Sequence, residues 1–253
     1  MKKSNKKIVY ILIGVAIVLL LWIVVSAVIN SDFILPYPWV VASEFFALFS
    51  TQNLYIGVFS TALRALLGFL VSAIFALLLA VLSYIKPALY TATSPIVTVL
   101  RAVPTMSVIL LFFIWFSESV TPAVVGFLIS FPLLYENFHT AISGVDKKLL
   151  EMSKIYGVKP LTRVRKLFIP LSRDGILSGL KSGISLNLKV VISAEVIAST
   201  VKSLGFYMQV AQTKTAIAEL FAWTLFAVLL SFLFEGIIEL IRFLTKPKRT
   251  KIV

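Results

Sequence analysis

Long apolar stretches without charged residues are the feature that most restricts how this chain can fold. The run from Ile8 to Ile29 has 22 residues and no charge, slightly more than the roughly 20 helical residues that cross a bilayer core. Similar stretches recur along the chain, and 59% of its 253 residues are hydrophobic. Because a soluble fold of this size cannot hide so much apolar surface, the sequence predicts an all-α, polytopic membrane protein.

The apolar pattern predicts about six transmembrane helices in a single domain that covers residues 1–253. We interpret the first as a retained helix, since it is longer than the apolar core of a signal peptide. Pro104 removes a backbone donor inside the third, which predicts a broken helix there. The predicted spans are about Ile8–Ile29, Tyr55–Tyr84, Tyr90–Phe116, Thr121–Ile142, Gly175–Ala198 and Ala218–Leu244.

Basic residues are distributed unevenly between the predicted loops, although the net charge is +13. The loop from Ser143 to Asp174 carries eight lysines and arginines, whereas the loop from Asn30 to Leu54 carries none. The positive-inside rule then places both termini and the basic loop in the cytoplasm. Charges arranged in this way argue against nucleic-acid binding, which needs a basic patch on a soluble face.

The segment from Ser143 to Pro170 is the only sizeable loop predicted on the cytoplasmic side. Asp146 is a suitable N-cap for a helix of about ten residues, Gly157 suits a left-handed C-cap, and Pro160 can open a second short helix that Pro170 ends. Such a hairpin could lie on anionic lipid or present its apolar stripe to a cytoplasmic partner. Physical reasoning alone leaves both readings open. The stripe consists of Val145, Leu149, Met152 and Tyr156.

The same loop resembles the coupling loop of binding-protein-dependent ABC importer permeases, whose pattern is E-A-A-x3-G-x9-I-x-L-P. The spacing of the Glu, Gly and Pro positions matches, while Met and Ser replace the two alanines. The resemblance implies a coupling loop at about 143–171 on which a separate ATPase docks. The residues that match the docking pattern are Glu151, Met152, Ser153, Gly157, Leu167, Ile169 and Pro170.

Other short motifs resemble the nitrate/sulfonate/taurine-type branch of these permeases. They are Leu35-Pro36-Tyr37-Pro38, Thr61-Ala62-Leu63-Arg64, Arg101-Ala102-Val103-Pro104 and Ala194-Glu195-Val196-Ile197. The resemblance implies an importer subunit in the bacterial inner membrane that forms the pathway for a small solute, such as a sulfonate-, taurine- or nitrate-like anion. A thiamine-precursor pyrimidine or another vitamin-like solute is the alternative within the same permease type.

The resemblance also implies partners: an ATPase subunit, an extracytoplasmic solute-binding protein, and a second permease copy in a homodimer within membrane lipid. The chain lacks the G-x-x-x-x-G-K-[ST] motif that binds the phosphates of ATP. We therefore expect ATP to bind to the ATPase partner, and we expect that this chain is not an enzyme. With no cysteine and one histidine, no metal site is expected.

Ionisable residues inside predicted spans are energetically expensive and therefore need a reason. Arg101, Lys189 and Glu195 are candidates for the solute pathway or a gate, and the alternative is that they pair with other helices or with carbonyl groups. Lys189 and Glu195 are six residues apart and do not face each other on one helix. An ATP-independent secondary transporter or channel is the alternative of a different class, and it predicts inverted repeats and internal acid–base relays that we do not find.

Overall fold

The computed structural model describes residues 2–245 as a bundle of helices without strands. The helices are α1 (Lys2–Ile29), α2 (Pro38–Leu48), α3 (Gln52–Ile85), α4 (Pro87–Ala102), α5 (Thr105–Trp115), α6 (Thr121–Ser143), α7 (Lys147–Ile155), α8 (Pro160–Arg163), α9 (Ile169–Ile197), α10 (Leu204–Thr213) and α11 (Ile217–Leu244). A π-helical turn, Val164–Phe168, joins α8 to α9.

Within this part of the chain, α1, α3, α9 and α11 are long and apolar enough to cross a membrane. The pair α4 and α5 makes a fifth candidate, bent by 93° at its break. The all-α, polytopic membrane class is thereby confirmed. The break falls at Val103 and Pro104, where proline was predicted to interrupt the third span, because proline cannot donate to the helix ladder.

The fourth predicted span corresponds to α6, which is not among the four or five apolar spans. Its second half carries Glu136, Asn137 and His139, which lower its hydropathy. It packs mainly against α3 and α9, with side chains such as Leu134 and Phe138 buried in a shared core. The predicted count of six spans thus exceeds the apolar count because these polar residues lower the hydropathy of α6.

Glycines allow the central helices to approach closely, as small residues commonly do in membrane bundles. A Cβ atom placed on Gly68 of α3 would lie 2.5 Å from the carbonyl oxygen of Ala123 on α6. One placed on Gly183 of α9 would lie 2.5 Å from Cδ2 of Leu134. The spacing between α3, α6 and α9 therefore depends on these positions having no side chain.

The first helix, α1, lies at the perimeter, and very little of its apolar length is buried. It is held near its C-terminal end, where Trp22 Nε1 donates to the carbonyl of Pro36 at 3.0 Å. The Trp22 ring also packs against Phe221 with centroids 5.6 Å apart. An apolar surface on all sides suits a helix that contacts lipid or another membrane chain.

The N-terminal end of α9 differs from the prediction that Pro170 ends a short helix. The chain instead passes from α8 through the π-helical turn directly into α9. Pro170 lies two residues after the π-helical turn, so its missing backbone N–H falls where the helical hydrogen-bonding pattern changes. The fifth span therefore begins before the predicted Gly175.

Candidate functional site

The short helix α7 has the caps that its sequence predicted. The backbone N–H of Lys148 donates to Asp146 Oδ1 at 2.9 Å, as an N-cap carboxylate accepts. Gly157 adopts φ +67°, and the N–H of Val158 donates to the carbonyl of Ser153 at 3.0 Å. This closes the helix as a glycine C-cap does, so both ends of α7 follow from local sequence.

Large apolar side chains on α7 and its C-terminal turn are uncovered. The exposed fractions are 53% for Met152, 83% for Ile155 and 79% for Tyr156, whereas Val145 is buried. An uncovered apolar patch on a short amphipathic helix is typical of a docking surface. Of the four residues in the predicted stripe, Val145 packs into the bundle and the other three face outward.

The other residues of the docking pattern have mixed environments. Glu151, Gly157 and Pro170 are exposed, and Ser153 and Leu167 are half-buried. A Cβ atom on Gly157 would meet nothing within 4 Å, so backbone conformation rather than crowding requires this glycine. The side chain of Ile169 lies outside the described part of the structure.

A polar stripe follows one face of α9. Its members recur every three or four residues, which places them on one side of a helix, and over 15 residues they extend about 22 Å. A face of this polarity does not suit contact with lipid hydrocarbon. The stripe consists of Ser178, Ser182, Ser185, Lys189 and Ser193, of which all but the half-buried Ser185 are exposed.

Beside the polar stripe, α9 and α11 enclose an open groove of about 490 Å³. Lys189 lies in it, and no ion pair of this lysine is found among residues 9–245. Lys181 Nζ lies 3.7 Å from Glu235 Oε2 near the same groove. Lys181, Lys189 and Glu235 together line the adjoining cavity, so two lysines and one glutamate give that part of the surface a net positive charge. Its polar lining includes Ser185, Lys189, Ser193, Thr224, Ser231 and Glu235.

A second groove of about 310 Å³ lies on the other side of the stripe, between α6 and α9. Glu136 of α6 lines it and forms an ion pair with Arg101 in the last turn of α4. Both side chains are partly exposed, and a cation in this position also suits the C-terminal end of a helix dipole. Arg101 is therefore close to a polar groove but is neutralised by a neighbouring helix.

Glu195, the third candidate, is fully buried and does not line either groove. Its carboxylate accepts from Thr61 Oγ1 at 2.8 Å, from Arg64 Nη1 at 3.2 Å and from the backbone N–H of Gly205 at 3.3 Å. A buried charge is tolerated when it is paired and hydrogen-bonded in this way. Its ion pair is with α3, in agreement with the expectation of a partner on another helix.

Two features of the site were not identified from the sequence. Glu235 is a charge inside the last predicted span, a signal that could have singled it out. The serines of α9 recur at helical spacing around Lys189, which also was visible in the sequence. Whether that polar face turned inward or outward depended on how α9 packs.

Helices of membrane length, polar grooves along α9 and an uncovered amphipathic helix are features that suit a membrane permease. Residues 72–249 match the family described as the binding-protein-dependent transport system inner membrane component. The chain belongs to this family of ABC importer permeases.

Individual relatives differ in the solute for which they are named. The chain is 27% identical over 187 residues to SsuC of Bacillus subtilis (strain 168), named for aliphatic sulfonates transport, which covers 73% of this chain and 68% of the relative. It is 28% identical over 181 residues to the riboflavin transport system permease protein RibX of Chloroflexus aurantiacus, covering 71% of this chain and 67% of the relative.

Solved structures of ABC transporters share the fold. An inward-facing structure of the MetNI methionine ABC transporter superposes with a TM-score of 0.66 at 19% identity, over 76% of this chain and 96% of that one. An amino acid ABC transporter with histidines gives a TM-score of 0.64 at 18% identity, over 78% and 96%. At this level of identity the likeness concerns the fold alone.

Proposed function

We propose that this permease forms the translocation pathway for a small anion of the sulfonate, taurine or nitrate type. The observation that carries the proposal is the polar stripe of α9, in which Lys189, without an ion pair in the part of the chain that the structure describes, lies beside a groove of about 490 Å³. An exposed ammonium in a partly desolvated groove attracts an anion, and the neighbouring hydroxyl groups can donate to its oxygens. Arg101, close to the second groove, is the further pathway or gate residue.

A second copy of the chain supplies the cover that the polar stripe needs. Twofold symmetry would place two α9 faces opposite each other, enclosing a polar channel away from lipid. Four described lysines, two from each copy, would then face two copies of Glu235. The proposed assembly is a homodimer surrounded by membrane lipid.

An ATPase subunit docks on α7 and its flanking turns in this proposal. Met152, Ile155 and Tyr156 offer an apolar surface beside the exposed Glu151. ATP binds to that subunit and not to this chain, since the P-loop motif is absent from the sequence. ATP-driven closure of the ATPase pair would move the loop as a rigid body.

An extracytoplasmic binding protein delivers the solute at the opposite face. The basic loop and basic termini place both ends of the chain in the cytoplasm under the positive-inside rule, in the inner membrane of a bacterium. Family membership favours this arrangement over an ATP-independent carrier or channel.

A vitamin-like solute is the second candidate, and one structural observation favours it. The groove between α9 and α11 also has an apolar wall that includes Leu188, Ile192 and Phe232. Such a wall suits a ring-bearing solute, and the similarity to RibX is consistent with this choice. Transport competition between taurine and riboflavin distinguishes the two candidates.

The test of the anion pathway is uptake of radiolabelled taurine by proteoliposomes that contain the permease, its ATPase and its binding protein. Loss of a hydrogen bond to a charged group weakens binding by about 1.5–3 kcal/mol, so Lys189→Gln should raise KM about tenfold or more. Lys189→Arg should retain transport. Lys214→Gln, an exposed lysine outside the grooves, is the matched control. Equal kinetics for all three variants would refute the role of Lys189.

The partners are tested by purifying the tagged permease in mild detergent and identifying the bound proteins by mass spectrometry. Recovery of a P-loop ATPase and a solute-binding protein is the expected result. A permease that purifies alone and transports without ATP would overturn the proposed importer.

A further inference from the structure

Four groups form a polar cluster at the end of α9 far from α7. This distal cluster consists of Thr61, Arg64, Glu195 and Gly205. Thr61 Oγ1 donates to Glu195 Oε2 at 2.8 Å and accepts from the backbone N–H of Leu204 at 2.9 Å. Through these bonds one buried carboxylate connects α3, α9 and the beginning of α10.

The distal cluster, together with Ser203, supplies the acceptors that the N-terminus of α10 requires. The first backbone N–H groups of a helix have no intrahelical partner. In α10, Glu195 accepts from Gly205 at 3.3 Å, and Ser203 Oγ accepts from Phe206 at 3.0 Å. The negative charge also suits the positive end of the helix dipole. The start of α10 is therefore bonded to neighbouring helices.

The contact between α9 and α10 leaves no space for sliding. A Cβ atom on Gly205 would lie 2.5 Å from Glu195 Cβ and 2.7 Å from the carbonyl oxygen of Ile192. Interfaces packed this closely move as units and are not deformed gradually. Any displacement of the end of α9 must carry the start of α10 with it.

The turns around the distal cluster are tied to it as well. Arg64 Nε donates to the carbonyl of Ser119 at 3.1 Å, in the turn between α5 and α6. Thr200 Oγ1 donates to the carbonyl of Glu118 at 2.8 Å, and Ser60 Oγ donates to the carbonyl of Lys202. These bonds join the ends of α3, α6, α9 and α10 into one body.

A single helix connects this body to the cytoplasmic loop. Glu195 lies 26 residues after Ile169, the first residue of α9, which corresponds to about 39 Å along the helix. We propose that Glu195 is a positioning residue that makes α10 and the turn between α5 and α6 move with α9. ATP-driven movement of the loop would then open and close the far end of the pathway. The inference rests on the proposed function.

Stability alone does not account for a buried charge at this junction. Apolar residues of similar volume often stabilise as well as a buried ion pair, or better. A paired carboxylate on α9 instead provides directional bonds to two other elements, α3 and α10. Directional bonds fix the relative orientation of those elements, which a movement transmitted along α9 requires.

The experiment uses the assembled importer in nanodiscs and measures ATP hydrolysis with and without the binding protein. The binding protein is purified under native conditions, so that it keeps its own bound solute. Glu195→Gln should keep basal hydrolysis within about twofold but reduce the stimulation by the binding protein at least tenfold. Glu195→Asp should recover part of it. If the binding protein stimulates ATP hydrolysis by the Glu195→Gln complex as strongly as by the parent complex, the proposal is overturned.

A disulfide provides a second, independent measurement, because the chain has no cysteine. Ser60→Cys with Lys202→Cys, oxidised after assembly, should leave stimulation within about twofold of the parent, since the joined elements move together. In the Glu195→Gln background the disulfide should restore stimulation, and dithiothreitol should remove it again. A disulfide that blocks stimulation in the parent would overturn the proposal, even if Glu195→Gln does not assemble.

The unmodified importer separates this inference from the function on which it rests. A parent complex without ATPase stimulation by any binding protein would overturn the proposed function. A stimulated parent with an unaffected Glu195→Gln variant would overturn only the role of Glu195.

Discussion

Gly68 sets the distance between α3 and α6, and replacing it with alanine should destabilise the bundle. The new Cβ would lie 2.5 Å from the carbonyl oxygen of Ala123 and 3.4 Å from the backbone nitrogen of Phe127. These are backbone atoms of a helix and cannot move aside as a flexible side chain can. Overpacking of this kind reduces the free energy of unfolding by about 1–3 kcal/mol.

The matched control is Gly236→Ala on α11, where a Cβ atom would meet nothing within 4 Å. Both substitutions gain the same helix propensity, about 1 kcal/mol, so this gain cancels in the comparison between them. The control should therefore exceed Gly68→Ala in stability by about 1–3 kcal/mol, the full overpacking penalty. For a chain of this length, that difference corresponds to about 2–12 °C in Tm.

The difference is measured by heating the two purified variants in the same detergent and monitoring the loss of folded protein by size-exclusion chromatography. Gly68→Leu should be more severe and should reduce the yield of folded protein. Equal Tm values for Gly68→Ala and Gly236→Ala, within about 1 °C, would refute the reasoning, because α3 and α6 would then not be in the close contact that the structure shows.

Three further predictions concern the loop and the ion pairs. Gly157→Asn should preserve ATPase co-purification better than Gly157→Val, because asparagine tolerates the φ of +67° and a β-branched residue does not; equal recovery would count against the αL requirement. Glu195→Leu should reduce the free energy of unfolding by about 3–5 kcal/mol, and adding Arg64→Leu should recover part of this loss. A double-mutant cycle of denaturation midpoints measures the recovery, and strictly additive effects of the two substitutions would argue against the ion pair. Arg101→Gln should change Tm by little, since the partly exposed ion pair of Arg101 with Glu136 contributes less than about 1 kcal/mol to stability. It should nevertheless alter transport kinetics, and unchanged uptake would remove Arg101 from the pathway.

Local features of the structure were predictable from the sequence because they depend on neighbours along the chain. Uninterrupted apolar runs indicate membrane helices through their length alone. Pro104 breaks a span by lacking a donor, and Asp146 and Gly157 cap α7 through contacts within a few residues. The membrane class, the bent third span and the ends of α7 were determined at this level.

Contacts between segments that are distant in the sequence could be identified only from the tertiary structure. Glu195 was an expensive charge in a span, but only packing placed Thr61 and Arg64, 134 and 131 residues away, against it. Helix packing alone determines that the serine and lysine face of α9 points away from the bundle core. It also determines that α6 packs between α3 and α9. Sequence periodicity specifies which residues share a helical face, whereas the partner of that face depends on the close approach of helices from far along the chain.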